Sequence, residues 1–192
     1  MRNKILTVTW AAAALILAGC QIWNPGGVPF TAKNGAFTLR VPARWMFATA
    51  FGKDFTASKD GVILQQIVVE HVALKEALPH SKRELSPTLA PFELAEAVID
   101  DLHSDHTLLS FTVKENTPAT LGGKPAFHIV YSFRTEEKLR LTEEAYGAIV
   151  GDQLWLLRFR APTRHYFERD RAVFAELVQS FVFTPQAARL SQ

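Results

Sequence analysis

The sequence predicts an α+β domain: an antiparallel β-sheet carrying two principal helices. Three observations lead there. Between residues 108 and 161, strand-like alternation of apolar and polar side chains recurs with turn signals in between. Two stretches, opening near Pro91 and near Thr163, instead repeat their apolar residues at helical spacing. No internal repeat and no linker follows residue 35. With 192 residues, 48% hydrophobic and 21% charged, the chain can fill one core, and disordered or fibrous classes are excluded.

The first segment, residues 1–19, reads as an export signal. Arg2 and Lys4 precede an uncharged, mostly apolar run from Ile5 to Ala18. That run is too short for a spanning helix, which needs about 20 residues. It ends in Leu17-Ala18-Gly19-Cys20, which resembles a bacterial lipobox. The resemblance implies cleavage between Gly19 and Cys20, diacylglycerol on the Cys20 thiol and acylation of the new amino group. Two or three acyl chains would attach the protein stably to a membrane. Gln21 follows where an Asp would direct inner-membrane retention, so similarity to enterobacterial sorting favours the outer membrane, facing the periplasm. Loss of Arg2 and Lys4 takes 21 basic residues to 19, against 19 acidic ones, so a nucleic-acid role has no electrostatic support. Cys20 is the sole cysteine, and once lipidated it leaves no thiol for disulfides, redox chemistry or thiolate metal sites.

Residues 20–33 contain Pro25, Gly26, Gly27 and Pro29 and read as a short tether to a domain over 34–184, with 185–192 as a tail. Ala36 to Val41 alternates as a strand stopped by Pro42, and Val62 to Val72 is β-branched enough for another. Leu78 to Pro91 is a proline-rich loop. A helix follows, with Pro91 in its first turn, Leu94, Ala95, Val98, Ile99 and Leu102 as its apolar stripe, and Glu93, Glu96, Asp100 and Asp101 facing water. Strands are predicted over 108–114, 126–134, 138–150 and 154–161, the last two joined by Gly151-Asp152. The final helix runs from about Thr163, as its cap, to Ser180, burying Phe167, Phe174, Leu177, Val178 and Phe181.

Three motifs carry a family resemblance. Asn34-Gly35-Ala36-Phe37-Thr38-Leu39-Arg40-Val41-Pro42-Ala43-Arg44-Trp45 resembles the G-x-F-x-(I/L)-x-x-P-x-x-W opening of PsbP-like and DcrB-like domains. Gly151 to Pro162 is a strand running into Ala-Pro, and the helix after it closes on Ser180-Phe181, as is typical of that group. Gly123-Lys124-Pro125-Ala126, leading into an aromatic strand, fits as well. The resemblance spans about 34–184 and implies an α/β/α sandwich. Its members include bacterial lipoproteins, photosystem accessory proteins and adaptors for secreted effectors, mostly non-enzymatic, and no catalytic residue set defines them. Fold likeness does not select a ligand.

The residues offer little conventional chemistry. His103 and His106, three apart near a helix end, are two potential metal ligands where zinc needs three or four. No nucleophile elbow is present, and Gly122-Gly123-Lys124 is a hairpin turn rather than a phosphate loop. Adjacent carboxylates such as Glu143 and Glu144 point apart on a strand. No catalytic residue, metal or cofactor is predicted. Four arginines are the candidate ligand-binding residues: Arg158 and Arg160 share one face of their strand, and Arg134 and Arg140 lie on neighbouring strands. If the register aligns them, they form a cluster for an anionic group or an acidic partner, because guanidinium recognises carboxylate and phosphate bidentately. A second candidate surface is aromatic, with Phe47 and Phe51 free for a protein or lipid.

The expectation is a lipid-anchored cell-envelope protein, held by acyl chains on Cys20 and acting as a non-catalytic binding, adaptor or assembly factor for another envelope component. The alternatives are a small-molecule or lipid carrier, which requires a cavity of several hundred Å³, and a metal-assisted hydrolase on His103 and His106. The oligomeric state is left open.

Overall fold

The computed structural model describes residues 22–50 and 52–190; the segment read as an export signal, Cys20 with the motif resembling a lipobox, and Phe51 lie outside the described residues. In chain order the strands are β1 (Asn24–Pro25), β2 (Pro29–Thr31), β3 (Phe37–Arg40), β4 (Met46–Ala48), β5 (Phe55–Ser58) and β6 (Gln66–Ala73). Helix α1 (Pro91–Ser104) leads into β7 (Leu109–Leu121), β8 (Lys124–Arg134), β9 (Arg140–Val150) and β10 (Gln153–Pro162); α2 (Glu168–Ser180) and β11 (Val182–Phe183) follow. They form an eight-stranded sheet, ordered β1-β4-β5-β6-β10-β9-β8-β7, and a three-stranded sheet, β11-β3-β2. Every pairing is antiparallel.

Alternation along β10 sets the layers. Trp155, Leu157 and Phe159 enter a core closed by α2 and the small sheet, where Phe37 stacks on Phe181 at 5.0 Å and Phe159 on Phe167 at 5.4 Å. Leu154 and Leu156 face the opposite way, into a core closed by Leu94, Ala95 and Val98 of α1. The α/β/α layering expected from the resemblance is therefore present. The close approach of strands on the α1 side needs Gly147: a Cβ there would overlap the ring of Phe127.

Several boundaries differ from the sequence reading. The segment read as a tether is part of the fold from residue 24 on. β1 joins the large sheet, β2 joins the small one, and Phe30 packs on Phe55 with ring centroids 5.0 Å apart. Strands of two or three residues show no periodicity, which is why Pro and Gly dominated the reading. Val62 and Ile63 lie in an exposed turn, and the strand begins only at Gln66. Thr163 does not cap a helix. The chain makes a single π-type turn through Thr163–Phe167, with His165 at φ 70°, and Thr163 Oγ1 pairs with Thr142 Oγ1 at 2.8 Å. Asp101 is buried rather than wet, because it accepts hydrogen bonds from the backbone of His80 and Ser81 and ties the proline-rich loop to α1. The tail holds a short 3₁₀ turn, Pro185–Arg189, whose Ala187 belongs to the core.

Candidate functional site: a buried arginine–glutamate cluster

Cross-strand register builds the site. Arg160 of β10 lies opposite Glu143 of β9, which lies opposite Tyr131 of β8. One row on the α1 face thus holds a cation, an anion and a phenol. Arg158 stands two residues along the same face, with Glu70 of β6 beside it. Glu143 is only 1% exposed, so its charge must be met inside the protein. The Tyr131 hydroxyl donates to Glu143 Oε1 at 2.8 Å, Arg160 Nε donates to Oε2, and Arg158 Nη1 lies 3.5 Å from Oε1. Arg158 Nη2 and Lys53 Nζ both bind Glu70.

Electrostatics follow from these contacts. Burial is the largest influence on Glu143 and pushes its pKa upward. The opposing charges of Arg160 and Arg158, with hydrogen bonds from Arg160 and Tyr131, outweigh it and hold the carboxyl below its usual range. Burial first, then the Glu143 charge, lifts the Tyr131 phenol well above its usual value, so it stays neutral and donating. Three cations, Lys53, Arg158 and Arg160, face two anions, Glu70 and Glu143, leaving one positive charge in excess.

Two cavities meet at the arginine pair. One, of about 340 Å³, is lined by Lys53, Thr56, Val62, Gln66, Val68 and Glu143 together with Arg158 and Arg160. The other, of about 310 Å³, runs beneath α1 past Leu78, Val98, Ile129 and Leu156 to the same two arginines, and its wall also carries the carboxylates of Glu70, Glu76, Asp101 and Asp105, so the first cavity is the one suited to an anion. The Arg160 guanidinium lies 5.4 Å from the Phe133 ring centroid, and its two terminal nitrogens make no hydrogen bond among the described residues. The arrangement offers a fixed cation with unused donors beside apolar walls, suited to holding an anionic group.

Arg134 and Arg140 are not part of it. They lie directly opposite one another, whereas Arg160 lies opposite Glu143. Arg140 and Glu143 are three positions apart, and an odd offset along a strand means opposite faces. The single arginine cluster anticipated across three strands is thus divided into two pairs. Glu143 and Glu144 do point apart. Glu144 faces α2, where it contacts His128 Nε2 at 2.8 Å and accepts from Arg171 Nε at 2.9 Å. Phe47 is no free patch, since it packs between Phe30 and Phe55. His103 and His106 are exposed, and no group of three or more His, Cys, Asp or Glu able to hold a metal ion occurs among the described residues. Sequence reasoning missed Glu143, Tyr131 and Glu70. For Glu70 and Glu143 the signal is a carboxylate inside a strand of mostly apolar residues; Tyr131 carries none.

No family model matches the chain, and no curated protein matches it. Solved structures do. The solution structure of cyanobacterial PsbP (CyanoP) from Synechocystis sp. PCC 6803 superposes with a TM-score of 0.57 at 8% identity, covering 86% of this chain and 95% of that one. The fold is PsbP-like. LpqN, described as involved in cell envelope biogenesis of Mycobacterium tuberculosis, superposes at TM-score 0.56 and 14% identity over 82% of this chain and 90% of its own. A Mog1 mutant gives 0.54 at 11% identity, over 80% and 93%. At these identities the likeness of the PsbP-like domain is one of fold alone.

Proposed function

We propose that this chain is a lipid-anchored protein of the bacterial cell envelope, in the outer membrane facing the periplasm, whose PsbP-like domain binds another envelope component without catalysis. In this reading the Arg158–Arg160 pair receives an anionic group of that component. The observation that carries it is the cavity where Lys53, Arg158 and Arg160 outnumber the one carboxylate, Glu143, and where Arg160 keeps unused donors. The lipobox ending in Cys20 supports the anchor, and the neutral charge of the processed chain speaks for a specific partner rather than a general polyanion.

The test is crosslinking and co-purification of the lipidated protein from its own envelope, beside Arg160→Gln and Cys20→Ser. One stoichiometric protein partner, lost in a folded Arg160→Gln variant, is the expected result. Cys20→Ser is expected to lose the acyl mass and to leave the membrane fraction. Absence of a protein partner, with a small anion or lipid retained in native mass spectrometry, would replace the adaptor by a carrier. That second reading has the cavity volumes in its favour.

A further inference from the structure

We infer that the β1–β4 edge of the large sheet, together with the turn bearing Val62 and Ile63, is a membrane-contacting surface that rests in the interfacial layer of the bilayer. The inference depends on the proposed acylation of Cys20 and goes beyond it: the anchor sets not only the compartment but which side of the domain meets the lipid.

The first argument is reach. Asn24 and Pro25 pair with Phe47 and Met46, Gly26 N donates to Trp45 O at 2.7 Å, and Gly27 N donates to Val41 O at 3.0 Å. This dock leaves no slack. A Cβ on Gly26 would lie 2.6 Å from Trp45 O and 2.9 Å from a Val41 methyl. Four residue steps separate Cys20 from Asn24, a span of at most about 14 Å fully extended. An acylated Cys20 therefore holds β1 within reach of the headgroups, whose layer is several Å thick.

The second argument is the surface found there. Trp23, Met46, Ser58, Lys59, Gly61 and Val62 line one shallow recess of about 290 Å³ beside β1. Ile63 at the neighbouring tip is 84% exposed, and Ile22 and Val62 are 49% and 41% exposed. Large aliphatic side chains gathered this way mark a contact surface, and a tryptophan beside an anchor belongs to the headgroup level. The charges of the turn itself are met: Lys59 Nζ lies 3.6 Å from Asp170, and Arg169 Nη2 lies 2.5 Å from Asp60. The turn therefore carries its apolar tip toward lipid without an unpaired charge.

The sole native cysteine is consumed by the thioether, so an introduced thiol can be labelled uniquely. Ile63→Cys and Leu109→Cys replace two exposed apolar residues. Leu109, in β7 at the far edge of the sheet, lies seven strands from β1 and four from β6, into which the Ile63 turn leads, about 34 Å and about 19 Å across the sheet. Each full-length lipidated variant carries a polarity-sensitive fluorophore and is placed on phosphatidylethanolamine–phosphatidylglycerol vesicles. Emission at position 63 is expected to shift to the blue and to be quenched by nitroxide lipids, with neither change at position 109. A protein whose Cys20 carries its acyl mass but whose label at 63 stays water-like overturns this inference and leaves the anchor standing. Equal shifts at both positions overturn it too. A chain lacking the acyl mass overturns the anchor, and this inference with it.

Discussion

Glu143 is tolerable inside the sheet only because two guanidinium groups and a phenol surround it. Removing one member of such a buried set leaves the others uncompensated, so Glu143→Ala is expected to cost about 3–5 kcal/mol in urea unfolding, whereas exposed Arg134→Ala should stay within about 0.5 kcal/mol. Its lowered pKa gives the sign of the acid response. The stabilisation is present above the unfolded value of about 4.3 and is lost as pH falls through the lower folded value. His71 runs the other way. A hydrogen bond to Asp54 at 2.6 Å is the main cause of a raised pKa, opposed by burial and aided by the Asp54 charge. Stabilisation from His71 is thus full below the unfolded value of about 6.5 and is lost as pH rises through the folded one. His71→Asn should flatten that part of the stability profile measured from pH 5.5 to 8.5.

Elements were legible in proportion to their length and punctuation. α1 could be read from Pro91 and its stripe, and Glu93 indeed reaches back to the Ala90 N–H at 2.9 Å. β8, β9 and β10 were legible because each repeats its apolar residues for ten or eleven positions. β1, β2 and β4 have two or three residues each and carry no period to detect. The arginines show the same limit in another form. Alternation within β10 assigned Arg158 and Arg160 to one face, but relating them to Arg134 and Arg140 required a register that one sequence does not contain. The β9 strand offers its own test. At Gly147 the neighbouring Phe127 ring is fully buried and cannot yield, so Gly147→Ala should lower stability by about 1–3 kcal/mol through overpacking, read as a fall in melting temperature.

At the scale of the whole molecule, residues 24–31 act as a staple, because β1 lies in the large sheet and β2 in the small one. Phe30 closes that staple against Phe37, Phe47 and Phe55. Phe30→Ala is expected to cost about 3–5 kcal/mol in chemical unfolding, an effect that a mere tether residue would not show. The small sheet has a further consequence in time. Its middle strand, β3, is flanked by β2 from near the start of the chain and by β11 from near the end. Until the last strand has been synthesised and delivered, one margin of β3 stays bare and the aromatic layer beneath it stays open. A chain still emerging from a ribosome therefore cannot reach its final shape until β11 is available; folding of the small sheet has to wait for that strand.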